Sequence, residues 1–233
     1  MNNVKVYLDK ASNNLDDNLN LLEFSESKYG NPIEHFQIEN RYYSRSSLNY
    51  LLGLSFLKSL LPNFTPESVL EIGGGFGTLG DIISQIPNKE IKYIDVDLPP
   101  IFVIAHDYMK NTQNRTNNIH LSPLNASPNE IKIDNLPNYS FIPSWEIERL
   151  RGSIDLFVNF ISFQEMEPDI VENYLSNVAR LNAKVILLRN MREGKQQAKN
   201  GSIGVKSPIK TGDYSLFLSD YELIGSNITP FGF

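Results

Sequence analysis

The chain of 233 residues has no cysteine, one tryptophan and three histidines, and its 21 basic residues are outnumbered by 27 acidic ones. Without cysteine there is no disulfide framework, no thiolate zinc site and no cysteine nucleophile. A net charge of −6 argues against a duplex nucleic-acid partner, whose affinity comes largely from Lys and Arg clustered on phosphates. No run approaches the ~18 uninterrupted apolar residues that span a bilayer. Met1 to Asp9 also lacks the basic-then-apolar order of a secretory leader. The expectation is a cytoplasmic protein with no membrane and no nucleic-acid partner, acting on a small molecule, alone or as a homo-oligomer.

What is present is enough apolar surface, 41% of residues, to bury a full core, in a length that suits one α/β domain with an appendage. The first forty residues are polar and Asn-rich, with a Gly30-Asn31-Pro32 turn, and read as an arm or lid. Apolar residues then recur at helical spacing from Arg45 to Leu61 until Pro62 stops them. We therefore divide the chain into residues 1–62, an N-terminal helical arm that could cover a substrate, and 63–233, the ligand-binding domain. In the second part strands and helices alternate. Ser68 to Ile72 is a strand, Leu79 to Ile86 a helix, Ile91 to Val96 a strand and Ile101 to Lys110 a helix opened by Pro99-Pro100. After a polar stretch with a strand near Ile119 to Leu121, the rhythm resumes. Ser140 to Ile142 reads as a strand, Ser144 to Leu150 as a short helix, Ile154 to Phe160 as a strand, Pro168 to Leu181 as a helix and Lys184 to Leu188 as a strand. A last strand is expected near Glu222 to Gly225. Such alternation predicts an α/β fold with a Rossmann-like, doubly wound, mostly parallel sheet.

The first strand runs into Gly73-Gly74-Gly75-Phe76-Gly77 and then a helix. That arrangement puts backbone N–H groups and a helix N-terminus at the carboxyl edge of a sheet, where ligands of such folds bind. Gly75-Phe76-Gly77-Thr78-Leu79-Gly80 also matches the dinucleotide pattern G-x-G-x-x-G. Glu71 argues against that reading. A carboxylate two residues before the first glycine would repel a pyrophosphate but suits a ligand with a positive amino group. The spacing Glu71-x-Gly73-x-Gly75-x-Gly77 resembles motif I of class I S-adenosylmethionine-dependent methyltransferases. The second strand ends in Asp95-Val96-Asp97-Leu98-Pro99, about 20 residues beyond the first glycine, where a carboxylate can accept both ribose hydroxyls. Strand alternation points Asp95 and Asp97 the same way. We favour Asp97, because Asp-Leu-Pro resembles the ribose-binding segment of several O-methyltransferases.

Ser144 reads as an N-cap and Trp145 as a core aromatic, whereas the resemblance to methyltransferases implies that the two line an adenine pocket. The fourth strand releases Asn159, Ser162, Gln164 and Glu165 at the same sheet edge. Together VLEIGGGFGTLGDI, YIDVDLPP, FIPSW and NFISFQEM resemble the sugar O-methyltransferase family of bacterial polysaccharide and glycoside modification, over about Gly30 to Met191. The resemblance implies S-adenosyl-L-methionine as cofactor, held by Glu71, Gly73, Gly75, Gly77, Asp97, Ser144, Trp145 and Asn159. It also implies a glycan or small-molecule acceptor.

A sugar hydroxyl is a poor nucleophile while protonated, so a general base is expected. Glu165 is the first candidate and His35, in the arm, the second. Gln164, Arg41 and Tyr42 are the expected sugar contacts. No metal site is expected, since no metal-spaced cluster stands out, the nearest acids being Glu165, Glu167 and Asp169. Two rivals stand beside this reading. One is a non-catalytic binding protein of the same fold. The other is a nicotinamide-dependent oxidoreductase, for which Tyr174 lacks a lysine four residues on.

Overall fold

A computed structural model describes residues 21–112, 118–124, 129–198 and 204–228. The first twenty residues of the expected arm lie outside the described part. From residue 21 to α1 the arm is less helical than the sequence implies. A 3₁₀ turn at Leu21–Glu23 leads to a two-stranded antiparallel hairpin, β1 (Phe36–Ile38) and β2 (Arg41–Tyr43). Short alternating segments closed by a turn pair more readily than they form helix, which is why the arm is a hairpin leading into α1 (Arg45–Leu60). A capping box of Ser44 and Ser47 starts α1, and the Glu26 carboxylate reinforces it by accepting from the Ser44 N–H at 2.5 Å and the Ser47 hydroxyl at 2.8 Å.

The domain then builds the sheet: β3 (Ser68–Ile72), α2 (Thr78–Ser84), β4 (Lys92–Asp97), α3 (Ile101–Thr112) and β5 (Ile119–Leu121). A minor parallel pair, β6 (Ile131–Lys132) and β8 (Leu150–Arg151), brackets β7 (Tyr139–Pro143). Next come β9 (Leu156–Phe160), α4 (Pro168–Arg180), β10 (Val185–Arg189) and α5 (Thr211–Phe217). Six strands form one parallel sheet in the order β5-β7-β4-β3-β9-β10. Strands buried on both faces, such as Ser68-Val-Leu-Glu-Ile72, read as continuous apolar runs because helices cover both sides. Val69, Tyr93 and Val158 face one core with α1, α2 and α3, while Leu70, Ile94 and Phe157 face another with α4. This is the doubly wound Rossmann-like sheet.

One expectation needs correction. Residues 221–228 are irregular, not a strand at Glu222 to Gly225. Among the described residues no strand pairs the outer edge of β10, and a strand without a partner ladder has nothing to hold it extended. The short helix expected after β7 is present as a 3₁₀ helix, Ser144–Arg149, since β8 ends it before a second α turn can close. Among the described residues no helix is long and apolar enough to cross a membrane.

Candidate active site

From β3 the chain winds one way to β4 and β7, and later the other way to β9 and β10, so the strand order reverses between β3 and β9. Ligands of open α/β sheets bind at such a switch point, outside the carboxyl ends of the strands. The glycine loop lies there. Gly73 donates its N–H to Val96 O at 3.0 Å and has φ +76°, and a Cβ on it would lie 2.1 Å from Ser162 Oγ at the exit of β9. Glycine is thus required by both conformation and space. Gly77 occupies the N-cap position of α2, and Gly75 donates its N–H to Asp97 Oδ2 at 3.1 Å.

Beneath the loop is a buried acidic group. Glu71 and Asp95 are paired in register on neighbouring strands and both are wholly buried. The Tyr50 hydroxyl, from α1, donates to Glu71 Oε1 at 2.5 Å, and the Tyr93 hydroxyl donates to Oε2 at 2.5 Å. Burial pushes the Glu71 carboxyl up to about 7, against the pull of the two hydroxyls. Burial and then the nearby Glu71 and Asp97 charges raise Asp95 well above its usual range. Burial likewise lifts the Tyr50 and Tyr93 hydroxyls. Asp97, by contrast, is only half-buried at the strand end, and accepts from the N–H groups of Gly75 and Leu98. The two acids that strand parity leaves equivalent are therefore separated by depth, with Asp97 at the surface of the cleft and Asp95 under Gly74.

Leu98, Phe76 and Trp145, which follow the carboxyl ends of β4, β3 and β7, are large apolar side chains exposed by 58%, 67% and 45%. Trp145 is therefore not a core aromatic. Ser144 is not an N-cap either. Pro143 takes that position without a side-chain cap, and the Ser144 hydroxyl instead bonds Tyr174.

At the β9 exit the side chains are largely committed to one another. Asn159, fully buried, donates from Nδ2 to Ile72 O at 2.8 Å, and its Oδ1 accepts from the Phe163 N–H and Asn190 Nδ2. Gln164 is buried with Oε1 on the Met191 N–H at 2.8 Å. Both carboxamides tie β3, the 161–165 turn and the β10 exit together, so their described partners are protein groups. Ile161 adopts φ +62°, a strained conformation for a β-branched residue. Glu165 is exposed and its Oε1 lies 2.6 Å from Lys195 Nζ. Glu167 accepts from the backbone N–H groups of Lys206 and Ser207.

The arm docks along α2 and α3. Ser25 and Gln85 exchange two hydrogen bonds, the Ser27 N–H reaches Asp81 Oδ2, and the Tyr29 hydroxyl reaches Asp107 Oδ2 at 3.0 Å. His35 lies 3.7 Å from Glu26 at the start of α1. Arg41 pairs with Glu23, and Lys28 Nζ stands 3.8 Å over the Tyr42 ring. The two base candidates belong to separate clusters, His35 with Glu26 in the arm and Glu165 with Lys195 past the β9 exit.

Sequence reasoning overlooked Tyr50 and Tyr93, and placed Ser162 at the sheet edge without a role. Tyr93 carries a signal, standing two residues before Asp95 on the same strand face. Tyr50 carries none, because only the packing of α1 across β3 and β9, with its ring 4.8 Å from that of Phe160, aims it at Glu71.

No protein-family model and no curated protein matches this chain. Solved structures resemble it. An S-adenosylmethionine-dependent methyltransferase from Aquifex aeolicus is 16% identical, aligned over 72% of this chain and 77% of that one with a TM-score of 0.44. Magnesium protoporphyrin IX methyltransferase from Synechocystis PCC 6803 with bound S-adenosylmethionine is 14% identical over 76% and 73%, with a TM-score of 0.44. The N-terminal domain of EvdMO1, in the presence of S-adenosylhomocysteine and D-fucose, is 10% identical over 93% and 85%, with a TM-score of 0.45.

Proposed function

We propose that the chain is an S-adenosyl-L-methionine-dependent methyltransferase whose acceptor is a sugar hydroxyl. One observation carries the cofactor half. At the switch point a half-buried carboxylate, Asp97, holds the Gly75 N–H at 3.1 Å and is followed by the exposed Leu98, above a buried acid pair. These groups match the parts of that cofactor. Asp97 accepts the ribose hydroxyls, Leu98 and Trp145 flank the base, and the negative charge under the loop favours the amino end. A pyrophosphate would meet that charge with repulsion. When bound, the cofactor supplies a methyl group on a positive sulfur that needs no further activation.

The remaining work falls to the chain and consists mostly of positioning. Glu165, an exposed carboxylate fixed by Lys195, takes the proton of the acceptor hydroxyl. His35, Arg41 and Tyr42 offer polar and aromatic contacts from the arm. The carboxamide of Gln164 holds the turn that carries Glu165 rather than the sugar. The sugar half of the proposal rests on the sequence resemblance.

The test is calorimetric titration with S-adenosylmethionine, S-adenosylhomocysteine and NAD in parallel. Binding of the first two alone is expected, and binding of NAD alone overturns the cofactor assignment. A panel of free and nucleotide-linked sugars, read by mass for an added methyl group, tests the acceptor. Methylation of other hydroxyl compounds with none of the sugars overturns that half.

A further inference from the structure

The acid pair beneath the glycine loop has too little positive charge around it to be doubly ionised. A Cβ on Gly74 would lie 2.5 Å from Asp95 Oδ1 and 2.9 Å from Glu71 Oε2, so both carboxyls sit side by side under one loop residue. The elements packed against them bring few donors. From α1 comes the Tyr50 hydroxyl, and from β4 the Tyr93 hydroxyl, both spent on Glu71. The strand end adds another acid, Asp97. The loop gives one N–H, from Gly74 to Asp95 Oδ1 at 3.2 Å. From β9 comes the neutral Asn159, and beyond it on β10 Arg189 sends Nη1 to Asn49 O at 2.9 Å. Among the described residues no Lys, Arg or His forms an ion pair with either carboxyl. Asp95 Oδ2 is buried with no hydrogen-bond partner among them.

An ionised carboxylate oxygen left that way carries a large desolvation penalty, and two such charges side by side in a low dielectric repel strongly. A proton held between the two groups relieves both costs, since an O–H on one carboxyl satisfies an acceptor on the other. We propose that Glu71 and Asp95 share one proton in the ligand-free protein and release it to solvent when a cationic ligand settles on the glycine loop, making cofactor binding proton-linked. The upward displacement of both carboxyls has the same cause, burial. The ligand half of this inference rests on the cofactor proposed above, and the shared proton does not. Below the titration of the pair, affinity should rise by up to about tenfold per pH unit for one released proton, and it should level off above that titration.

The test is titration of the full chain with S-adenosylhomocysteine, which keeps the amino group but not the charged sulfur. It is run at about pH 6 in phosphate and in Bis-Tris, which both take up protons there but differ in ionisation heat, and near pH 8 in phosphate and in Tris. Apparent enthalpies that differ by the equivalent of about one proton are expected, with the difference fading near pH 8. Asp95→Asn should bind with little proton release and a flatter pH profile. Should that variant fail to fold, infrared difference spectra of the unaltered protein replace it, and the protonated-carboxyl band should disappear on binding. Equal enthalpies in the two buffers, with no such band, overturn the inference while leaving the cofactor assignment standing. No binding of either adenosyl ligand overturns the cofactor assignment, and the ligand-free infrared band then decides the shared proton by itself.

Discussion

Replacing Gly73 with alanine tests the switch-point geometry at its tightest contact. Two costs add. At φ +76° an L side chain sits in the left-handed region, at about 1–2 kcal/mol. The new Cβ would also lie 2.1 Å from Ser162 Oγ and 2.6 Å from Ser162 Cβ. Rotating the hydroxyl removes the first clash but not the second. Backing Ser162 away means moving a turn whose next residue, Phe163, is held by Asn159 Oδ1 at 3.1 Å. Overpacking of that kind costs about 1–3 kcal/mol, so Gly73→Ala should lose roughly 2–5 kcal/mol in all. Urea unfolding of four proteins reads this out: the unaltered chain, Gly73→Ala, Ser162→Gly and the double variant. Ser162→Gly removes the atoms in the way, so the double variant should recover the clash and retain the conformational cost, a coupling of about 1–3 kcal/mol. Additive losses, or a loss below about 1 kcal/mol for Gly73→Ala, would refute the close approach of the β3 and β9 exits.

Three further outcomes are expected. Asp97→Ala should weaken S-adenosylhomocysteine binding by about 1.5–3 kcal/mol through lost charge-assisted hydrogen bonds, measured by calorimetry, and unchanged affinity would remove Asp97 as the ribose ligand. Glu165→Gln should leave cofactor affinity intact while slowing methyl transfer about 10²–10⁴-fold; an equal rate would pass the role of base to His35, to be checked with His35→Gln. Stability of the ligand-free chain should fall as pH rises. Glu71 titrates at about 7 in the fold against 4.5 as its ordinary value, so between those values the folded chain binds more protons than the unfolded one. The contribution is fully present below about 4.5 and lost through about 7, on the order of 3 kcal/mol. Urea midpoints that climb across that window would contradict the burial of Glu71.

How far the sequence reaches into this site depends on the range of each interaction. The glycine loop, Glu71 and Asp97 are legible because backbone approach and strand ends leave marks within a few residues, namely close-set glycines, apolar runs and an acid before Leu98-Pro99. The parallel direction of the strands is legible from alternation, since parallel strands need crossovers. Depth is not. Asp95 and Asp97 share a face of β4 and differ only in how far they lie below the edge, which depends on Gly74 closing over one and not the other. Side chains consumed by distant partners are equally hidden. Asn159 and Gln164 look like ligand contacts in the string NFISFQEM, yet their carboxamides bind Ile72, Phe163, Asn190 and Met191. Glu165, one residue past Gln164, points outward and meets Lys195 thirty residues away. A turn rich in polar residues at a sheet's carboxyl edge therefore advertises chemistry whether its groups face the ligand or brace the frame. The useful discriminator in this chain is exposure: Glu165 is exposed and Ser162 half-buried against Gly73, while Asn159 and Gln164 are buried. For that reason the proposed base is Glu165, and the close packing of Ser162 on Gly73 makes that serine the residue through which a change in the glycine loop would first be felt at the β9 exit.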